Sequence, residues 1–194
     1  GELRHPEDND RIACRANLLK FMEDVKSGKR KINANQLFIH EIVEKLFHRE
    51  HGLSAEEVEL YELCWNEIVK GYKELIARGE ISVNRGVVLA DVSGSMQGTP
   101  MMVSIATAIF MSELLDEPYR GRFMTFDTTP QWFNIGNYPS LLKKVKAVSA
   151  SPWGGSTNFQ KAMELVLDVA RVNHLSAEEM PQWFLVLSDM QFDS

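Results

Sequence analysis

The stretch that most constrains the fold is a short apolar run that ends in a cluster of oxygen-bearing side chains. The run, residues 87–90, is too short for a helix and lies between Gly86 and a predicted turn. It therefore predicts a strand that is buried on both faces. Asp91, Ser93 and Ser95 follow directly. The polar cluster is predicted at the carboxyl end of this strand, which is where open α/β sheets bind ligands.

A helix is predicted directly after the polar cluster. Residues 101–115 are almost continuously apolar, Thr99 is a suitable N-cap, and Pro100 suits the first helical position. Gly94 and Gly98 ease the tight turn that must join strand to helix. The local order is therefore strand, turn and helix.

The chain from residue 81 onward alternates between strand and helix patterns. A second wholly apolar strand is predicted at residues 183–187, and it also ends in an acid, Asp189. The other predicted elements are strands at residues 121–126 and 131–134 and helices at residues 139–148 and 159–172. This order predicts an α/β fold with a Rossmann-like, mostly parallel sheet flanked by helices on both faces.

A helical segment is predicted before the sheet. Apolar residues recur at helical spacing over residues 12–25 and 35–47, and a third helix runs from a capping box at Ser54 and Glu57 to Gly79. We therefore divide the chain into a helical segment, residues 1–80, and an α/β domain, residues 81–194.

Composition narrows the classes of function. The 194 residues carry a formal charge of −6, which argues against a broad electrostatic surface for nucleic acid. The basic stretch at residues 26–31 is interpreted as a solvated loop, with phosphate contact as the alternative. Cys14 and Cys64 suit a reducing compartment. No apolar run reaches membrane-spanning length, so we expect a cytoplasmic protein, with the nucleus as an alternative location, and no membrane partner.

The two apolar strands are predicted to bring Asp91 and Asp189 to one edge of the sheet. A glycine-rich loop, residues 151–157, can place Ser156 and Thr157 beside them. Carboxylates and hydroxyls are hard oxygen ligands, which suit Mg²⁺, Mn²⁺ or Ca²⁺ and suit zinc poorly. His48 and His51 are not interpreted as a metal pair, because no third ligand is close in sequence.

These residues resemble the metal-ion-dependent adhesion site of von Willebrand factor A domains, over about residues 84–194. The resemblance identifies five ligand positions: Asp91, Ser93, Ser95, Thr157 and Asp189. It implies that the three hydroxyls bind Mg²⁺ and that the two acids act directly or through water. Three neutral ligands leave the ion only partly neutralised, so a carboxylate from a partner protein can complete its coordination.

A narrower resemblance concerns the segments 100–104, 118–121, 153–160 and 187–193. They are similar to an intracellular family that pairs a helical TROVE-like region with a C-terminal A domain, as the Ro RNA-binding autoantigen does. By this resemblance residues 1–80 are the end of the helical region, and RNA binding by that region is the alternative function. The partner-binding surface is expected to include Met96, Gln97, Trp153, Gly155 and Ser156.

Other interpretations of the same residues stay open. The acids could simply terminate strands, Thr157 and Gln160 fit a helix capping box, and the loop at residues 153–155 could be a plain connection. Asp127 and Asp193 are further carboxylates without an assigned role.

An enzyme is not expected. Ser93 stands where a two-aspartate phosphatase has its second acid, and the sequence lacks a nucleophile elbow and a P-loop lysine. A domains also carry two further strands after the one ending at Asp189. We therefore expect a C-terminal truncation, with the rest of the sheet lying beyond Ser194.

Overall fold

The computed structural model describes residues 7–34, 36–48, 52–126, 130–150 and 158–190, apart from the side chain of Phe126. The elements in these ranges, in chain order, are α1 (Asn9–Lys26), α2 (Ile39–Phe47), α3 (Ala55–Ala77), β1 (Gly86–Asp91), α4 (Thr99–Leu114), β2 (Arg122–Phe126), β3 (Gln131–Asn134), α5 (Leu141–Ser149), α6 (Phe159–Val172) and β4 (Trp183–Leu187). The chain is therefore a mixed α/β protein whose helices precede and then alternate with strands.

The described strands form one sheet in the order β3-β2-β1-β4. β1 pairs in parallel with β2 and with β4, and β3 runs antiparallel to β2. The predicted mostly parallel sheet is confirmed. β1 lies between two neighbours, and all six of its residues are buried.

Helices cover both faces of the sheet, as predicted. Val88 and Ala90 of β1 belong to a core shared with α4, whereas Val87 and Leu89 pack with Ala162 of α6 on the opposite face. The alternation follows from the two-residue period of a strand. On the first face, α2 and α3 pack over α4, so that α4 is covered from two sides.

The helices before residue 80 are tied to the α/β part by polar contacts as well as by the shared core. The Glu62 carboxylate of α3 accepts hydrogen bonds from the backbone N–H groups of Leu141 (2.9 Å) and Leu142 (2.8 Å) at the start of α5. Glu113 of α4 accepts one from Trp65 Nε1 of α3 at 3.3 Å. The division of the chain at residue 80 stays a prediction.

Most element boundaries match the sequence, and the differences occur at helix starts. The N-cap of α4 is Gly98 and not Thr99, because the chain enters the helix through a backbone φ of 93°, which glycine adopts readily. α5 begins after Ser140, whose side chain accepts from the N–H of Lys143, and not at Pro139. α2 begins at Ile39, later than predicted, and the expected start at Asn35 lies outside the described residues.

The first residue of β1 lacks a side chain where its neighbour needs room. Gly86 is paired with Trp183 of β4, and a Cβ atom at position 86 would collide with the indole ring. The ring therefore occupies the space beside the glycine, and it packs against both hydrophobic cores. This contact closes one end of the seam between β1 and β4.

Two further observations bear on the expectations from composition. Within the described ranges, no helix has the length and apolar character that crossing a membrane requires. Cys14 and Cys64 are free thiols, the first exposed and the second buried.

Candidate metal-binding site

Asp91 is the most enclosed acid of the predicted cluster. Its side chain is fully buried at the end of β1. One carboxylate oxygen, Oδ1, accepts a hydrogen bond from the N–H of Ser93 at 2.9 Å, and the other, Oδ2, accepts one from the Ser188 hydroxyl at 2.7 Å. Both oxygens are thereby oriented by the protein itself.

The pairing of β1 with β4 explains the second of these contacts. Ala90 and Leu187 are paired in adjacent parallel strands. The residues that follow them, Asp91 and Ser188, therefore lie next to each other. Ser188 also accepts a hydrogen bond from the N–H of Met190 at 3.0 Å. Ser188 is not among the predicted site residues. The signal was present, since a hydroxyl residue directly precedes the strand-end acid Asp189.

The two serines of the turn after β1 lie side by side. Ser93 Oγ and Ser95 Oγ are 3.1 Å apart, with Ser93 buried and Ser95 exposed. Residues Gly94–Met96 form a single 3-10 turn, closed by a hydrogen bond from the N–H of Met96 to the Ser93 carbonyl. The turn thus presents one hydroxyl from the interior and one from the surface.

The separation of these hydroxyls can be compared with what a metal ion requires. Oxygen ligands about 2.1 Å from an octahedral Mg²⁺ lie roughly 3 Å from their nearest neighbours. The 3.1 Å between the Ser93 and Ser95 hydroxyls agrees with that spacing. The two hydroxyls are hydrogen-bonded to each other at this distance, and the same separation suits two adjacent positions on one hard cation.

The charge of the site favours a cation as well. Asp91 is fully buried, yet both of its hydrogen-bond donors are neutral. Such bonds orient a carboxylate but do not compensate its charge, and an uncompensated buried charge is strongly unfavourable. Among the described residues no group of three or more His, Cys, Asp or Glu side chains is placed so that it could hold a metal ion.

Of the other predicted site residues, three lie within the described ranges. Asp189 is exposed and follows Ser188 at the end of β4. Met96 is buried in the core, and Gln97 is exposed beside it. The remaining predicted residues lie outside the described ranges: Thr157, Trp153, Gly155, Ser156, Asp127 and Asp193.

The start of α6 excludes the capping-box interpretation of the segment before it. The N-cap of α6 is Asn158, whose Oδ1 accepts from the N–H of Lys161 at 2.9 Å. The side chain of Gln160 donates to Glu164 instead of reaching back to the helix start. Interpreting Thr157 and Gln160 as a capping box was therefore wrong, because the helix begins one residue later than that motif requires.

A cleft of about 410 Å³ lies beside the turn that follows β1. Its lining comes from the turn, from the start of α4 and from the end of α2, and consists of Glu44, Phe47, His48, Val92, Gly94, Gln97, Gly98, Met101 and Met102. A larger cavity of about 570 Å³, bordered by Tyr119, Trp132 and Val169, shares no residue with the candidate site. The smaller cleft is therefore the one that adjoins the candidate metal ligands.

Comparisons with known proteins cover this region and assign it no activity. Residues 85–194 match a family described as "Domain of unknown function (DUF7788)". The chain is 34% identical over 183 residues to an uncharacterized protein of Acanthamoeba polyphaga mimivirus, an alignment that covers 94% of this chain and 30% of the viral protein. The chain thus spans less than a third of that relative's length. No solved structure matches it.

Proposed function

This chain belongs to the DUF7788 family, and we propose that it is a non-catalytic binding module that uses a divalent cation to dock an acidic group of a partner protein. The proposal includes the finer fold assignment, a von Willebrand factor A-like variant of the Rossmann-like sheet. One observation carries it: a fully buried carboxylate, Asp91, held by neutral donors beside the paired hydroxyls of Ser93 and Ser95.

The residues of the site divide into two roles under this proposal. Ser93 and Ser95 would hold Mg²⁺, or Mn²⁺ or Ca²⁺, through their hydroxyl oxygens, and Thr157 is proposed as the third hydroxyl ligand. Both oxygens of Asp91 already accept hydrogen bonds from the protein. Asp91 would therefore contribute its negative charge to the site without contacting the ion directly. Asp189, which is exposed, would contribute the second acid.

Binding of an acidic partner follows from the charge balance of these ligands. Hydroxyl ligands are neutral, so a bound divalent ion would keep an electrophilic position open to a carboxylate oxygen. Ser95 and Gln97 are exposed in the segment that follows β1. Ser188 would keep the Asp91 carboxylate in its orientation in the absence of a partner, so the site is preorganised.

RNA binding by the helical segment is the second candidate function, and it has one favourable observation. Lys29, Arg30 and Lys31 are exposed in the turn after α1, where they could contact phosphate. If this function holds, retention of single-stranded RNA by the chain should fall steeply as the salt concentration rises. Retention that needs a divalent metal and an acidic protein ligand would favour the docking module.

The docking module is tested by calorimetric titration of the chain with Mn²⁺ and by the accompanying change in melting temperature. The wild-type chain should bind Mn²⁺ and melt at a higher temperature in its presence. Ser95→Ala removes an exposed ligand and should weaken Mn²⁺ binding at least about tenfold. Ser149→Ala, an exposed serine on α5, is the matched control and should bind as the wild type does.

The proposal fails if the wild-type chain shows no Mn²⁺ binding, or if Ser95→Ala binds as well as Ser149→Ala. Addition of acetate provides a further check on the docking step. Acetate should bind to the Mn²⁺-loaded chain and not to the metal-free chain. Equal binding to both would remove the metal from the mechanism.

A further inference from the structure

The cleft beside the metal-binding turn points to the kind of acidic partner that this protein takes. We propose that it receives an apolar side chain of a partner polypeptide, adjacent in sequence to the carboxylate that docks at the metal. This inference rests on the proposed function and specifies its partner. The partner segment is one acidic residue next to a side chain of leucine or methionine size.

The floor of the cleft is apolar and fixed. Val92 follows β1, Met101 and Met102 lie in the first turn of α4, and all three are buried. Phe47, at the end of α2, supplies an apolar wall on the other side. Burial of an aliphatic side chain between such surfaces is favourable because it removes apolar area from water.

The cleft is continuous with the candidate metal ligands. Gly94 lines it and lies between Ser93 and Ser95 in the chain. A Cβ atom at Gly94 would meet no atom of the described residues within 4 Å apart from its chain neighbours. A peptide whose carboxylate reaches the metal would therefore have its neighbouring side chain at the mouth of the cleft.

The volume suits a side chain and not a whole domain. At about 410 Å³ the cleft is near the lower end of the range found for ligand pockets, roughly 300 to 1,000 Å³. Each methylene group buried there should tighten binding about fourfold. An aliphatic side chain of three or four carbons is thus expected to dominate the contribution of the cleft.

Charge excludes a run of acids as the partner. Glu44 of α2 is half-buried and lines the cleft together with His48, which lies one helical turn further on. A second carboxylate entering the cleft would face Glu44 and lose its hydration, which is unfavourable. The occupant is therefore apolar, and the acid of the partner stays at the metal.

The wall from α2 also shows what the helices before residue 80 contribute. The family match begins at residue 85, whereas Glu44, Phe47 and His48 precede it. The proposed metal ligands belong to the family region, whereas three of the nine residues that line the cleft come from the end of α2, which packs on it. Selection among acidic partners is thus assigned to the N-terminal helices.

The test uses the whole chain saturated with Mn²⁺ and four capped peptides, with binding measured by calorimetry. The reference is acetyl-Gly-Asp-Gly-amide, and two test peptides carry leucine before or after the aspartate. The fourth, acetyl-Gly-Asp-Asp-amide, adds a second acid. At least one leucine peptide should bind about tenfold more tightly than the reference, and the two-acid peptide should gain nothing.

Two variants place this preference in the cleft. Phe47→Ala should reduce the leucine preference to less than about twofold, whereas Phe38→Ala, the same change at an exposed position preceding α2, should leave it intact. Glu44→Gln, which keeps the size of the side chain, should let the two-acid peptide bind severalfold more tightly. Unchanged Mn²⁺ affinity of each variant shows that it is folded.

The outcomes separate this inference from the proposed function. Loss of Mn²⁺ binding by the wild-type chain overturns both. Normal Mn²⁺ binding without a leucine preference, or with a preference that survives Phe47→Ala, overturns only the assignment of the cleft. Hexanoate binding as tightly as the better leucine peptide would overturn the polypeptide partner in favour of a free aliphatic acid.

Discussion

The two faces of the sheet are covered to different depths. Ten of the sixteen residues of α4 are buried, because α4 lies between the sheet on one side and α2 and α3 on the other. Three of the fourteen residues of α6 are buried on the opposite face, and Leu167 and Val172 of that helix are exposed. We call these the deep face and the shallow face. The N-terminal helices therefore complete the core on the side of the sheet where the candidate site lies.

Each face has one buried polar side-chain atom without a hydrogen-bond partner among the described residues, Ser104 Oγ of α4 on the deep face and Trp132 Nε1 on the shallow face. On the deep face, Glu113 binds both Trp65 Nε1 and Lys144 Nζ, the latter at 2.8 Å. The larger cavity lies on the shallow face, lined in part by Trp132. The two faces therefore differ in the depth at which their helices are buried and in the larger cavity, and not in the number of unpartnered polar atoms.

The largest difference between the two faces is expected when the free energies of unfolding of Val88→Ala and Val87→Ala are compared. These neighbours in β1 are equally buried and point to opposite faces. We expect Val88→Ala to lower the free energy of unfolding by about 2 to 3 kcal/mol and Val87→Ala by about 1 to 2, since a cavity under α4 is less able to collapse. Urea unfolding of both variants measures the difference. Equal losses would show that the faces are packed alike.

A smaller effect should follow from removing the carboxylate that joins α3 to α5. Glu62→Ala frees the N–H groups of Leu141 and Leu142 and should cost about 1 kcal/mol. Hydrogen exchange of these amides should accelerate, together with that of amides in α3. Asn158→Ala, which removes the local cap of α6, is the comparison, and its effect should stay within the first turn of α6. Faster exchange in α3 after Asn158→Ala would contradict the comparison.

The smallest effect is a difference in how fast the two cysteines react with a reagent in solution, and it involves no change in stability. Burial raises the pKa of the Cys64 thiol, so its thiolate fraction at pH 8 is smaller than that of an ordinary exposed thiol. A disulfide reagent should label exposed Cys14 quickly and Cys64 slowly, and the Cys64 rate should keep increasing as the pH rises above 9. A Cys14→Ser variant isolates the slow thiol. Labelling of Cys64 as fast as Cys14 would mean that the deep face opens readily.

Local sequence signals were sufficient for the strands and for part of the site. β3, β4 and α6 have the predicted bounds, because each has a clear apolar pattern between polar or turn-forming residues. Asp91, Ser93 and Ser95 come together as expected, since a strand followed by a tight turn keeps them within five residues. Such features depend on neighbours in sequence and are therefore predictable.

Features that depend on tertiary packing were not predicted. The contact of Ser188 with Asp91 depends on the register of two strands that are 97 residues apart in sequence. The wall formed by Phe47 depends on how α2 packs over α4. The cap of α4 was misplaced by one residue, because a glycine with positive φ and a threonine N-cap give similar sequence signals. Strand register, helix packing and a positive φ angle are set by contacts in the folded chain, and local sequence patterns therefore do not predict them.

The contact between Gly86 and Trp183 limits how relatives of this protein can vary. The indole fills the space that a side chain at position 86 would need, so enlarging one residue is tolerated only if the other shrinks. The two positions, nearly a hundred residues apart, should therefore covary among homologues. A relative with alanine at position 86 should have a smaller residue than tryptophan at position 183. Such paired substitutions would show that the contact between β1 and β4 is kept within the family.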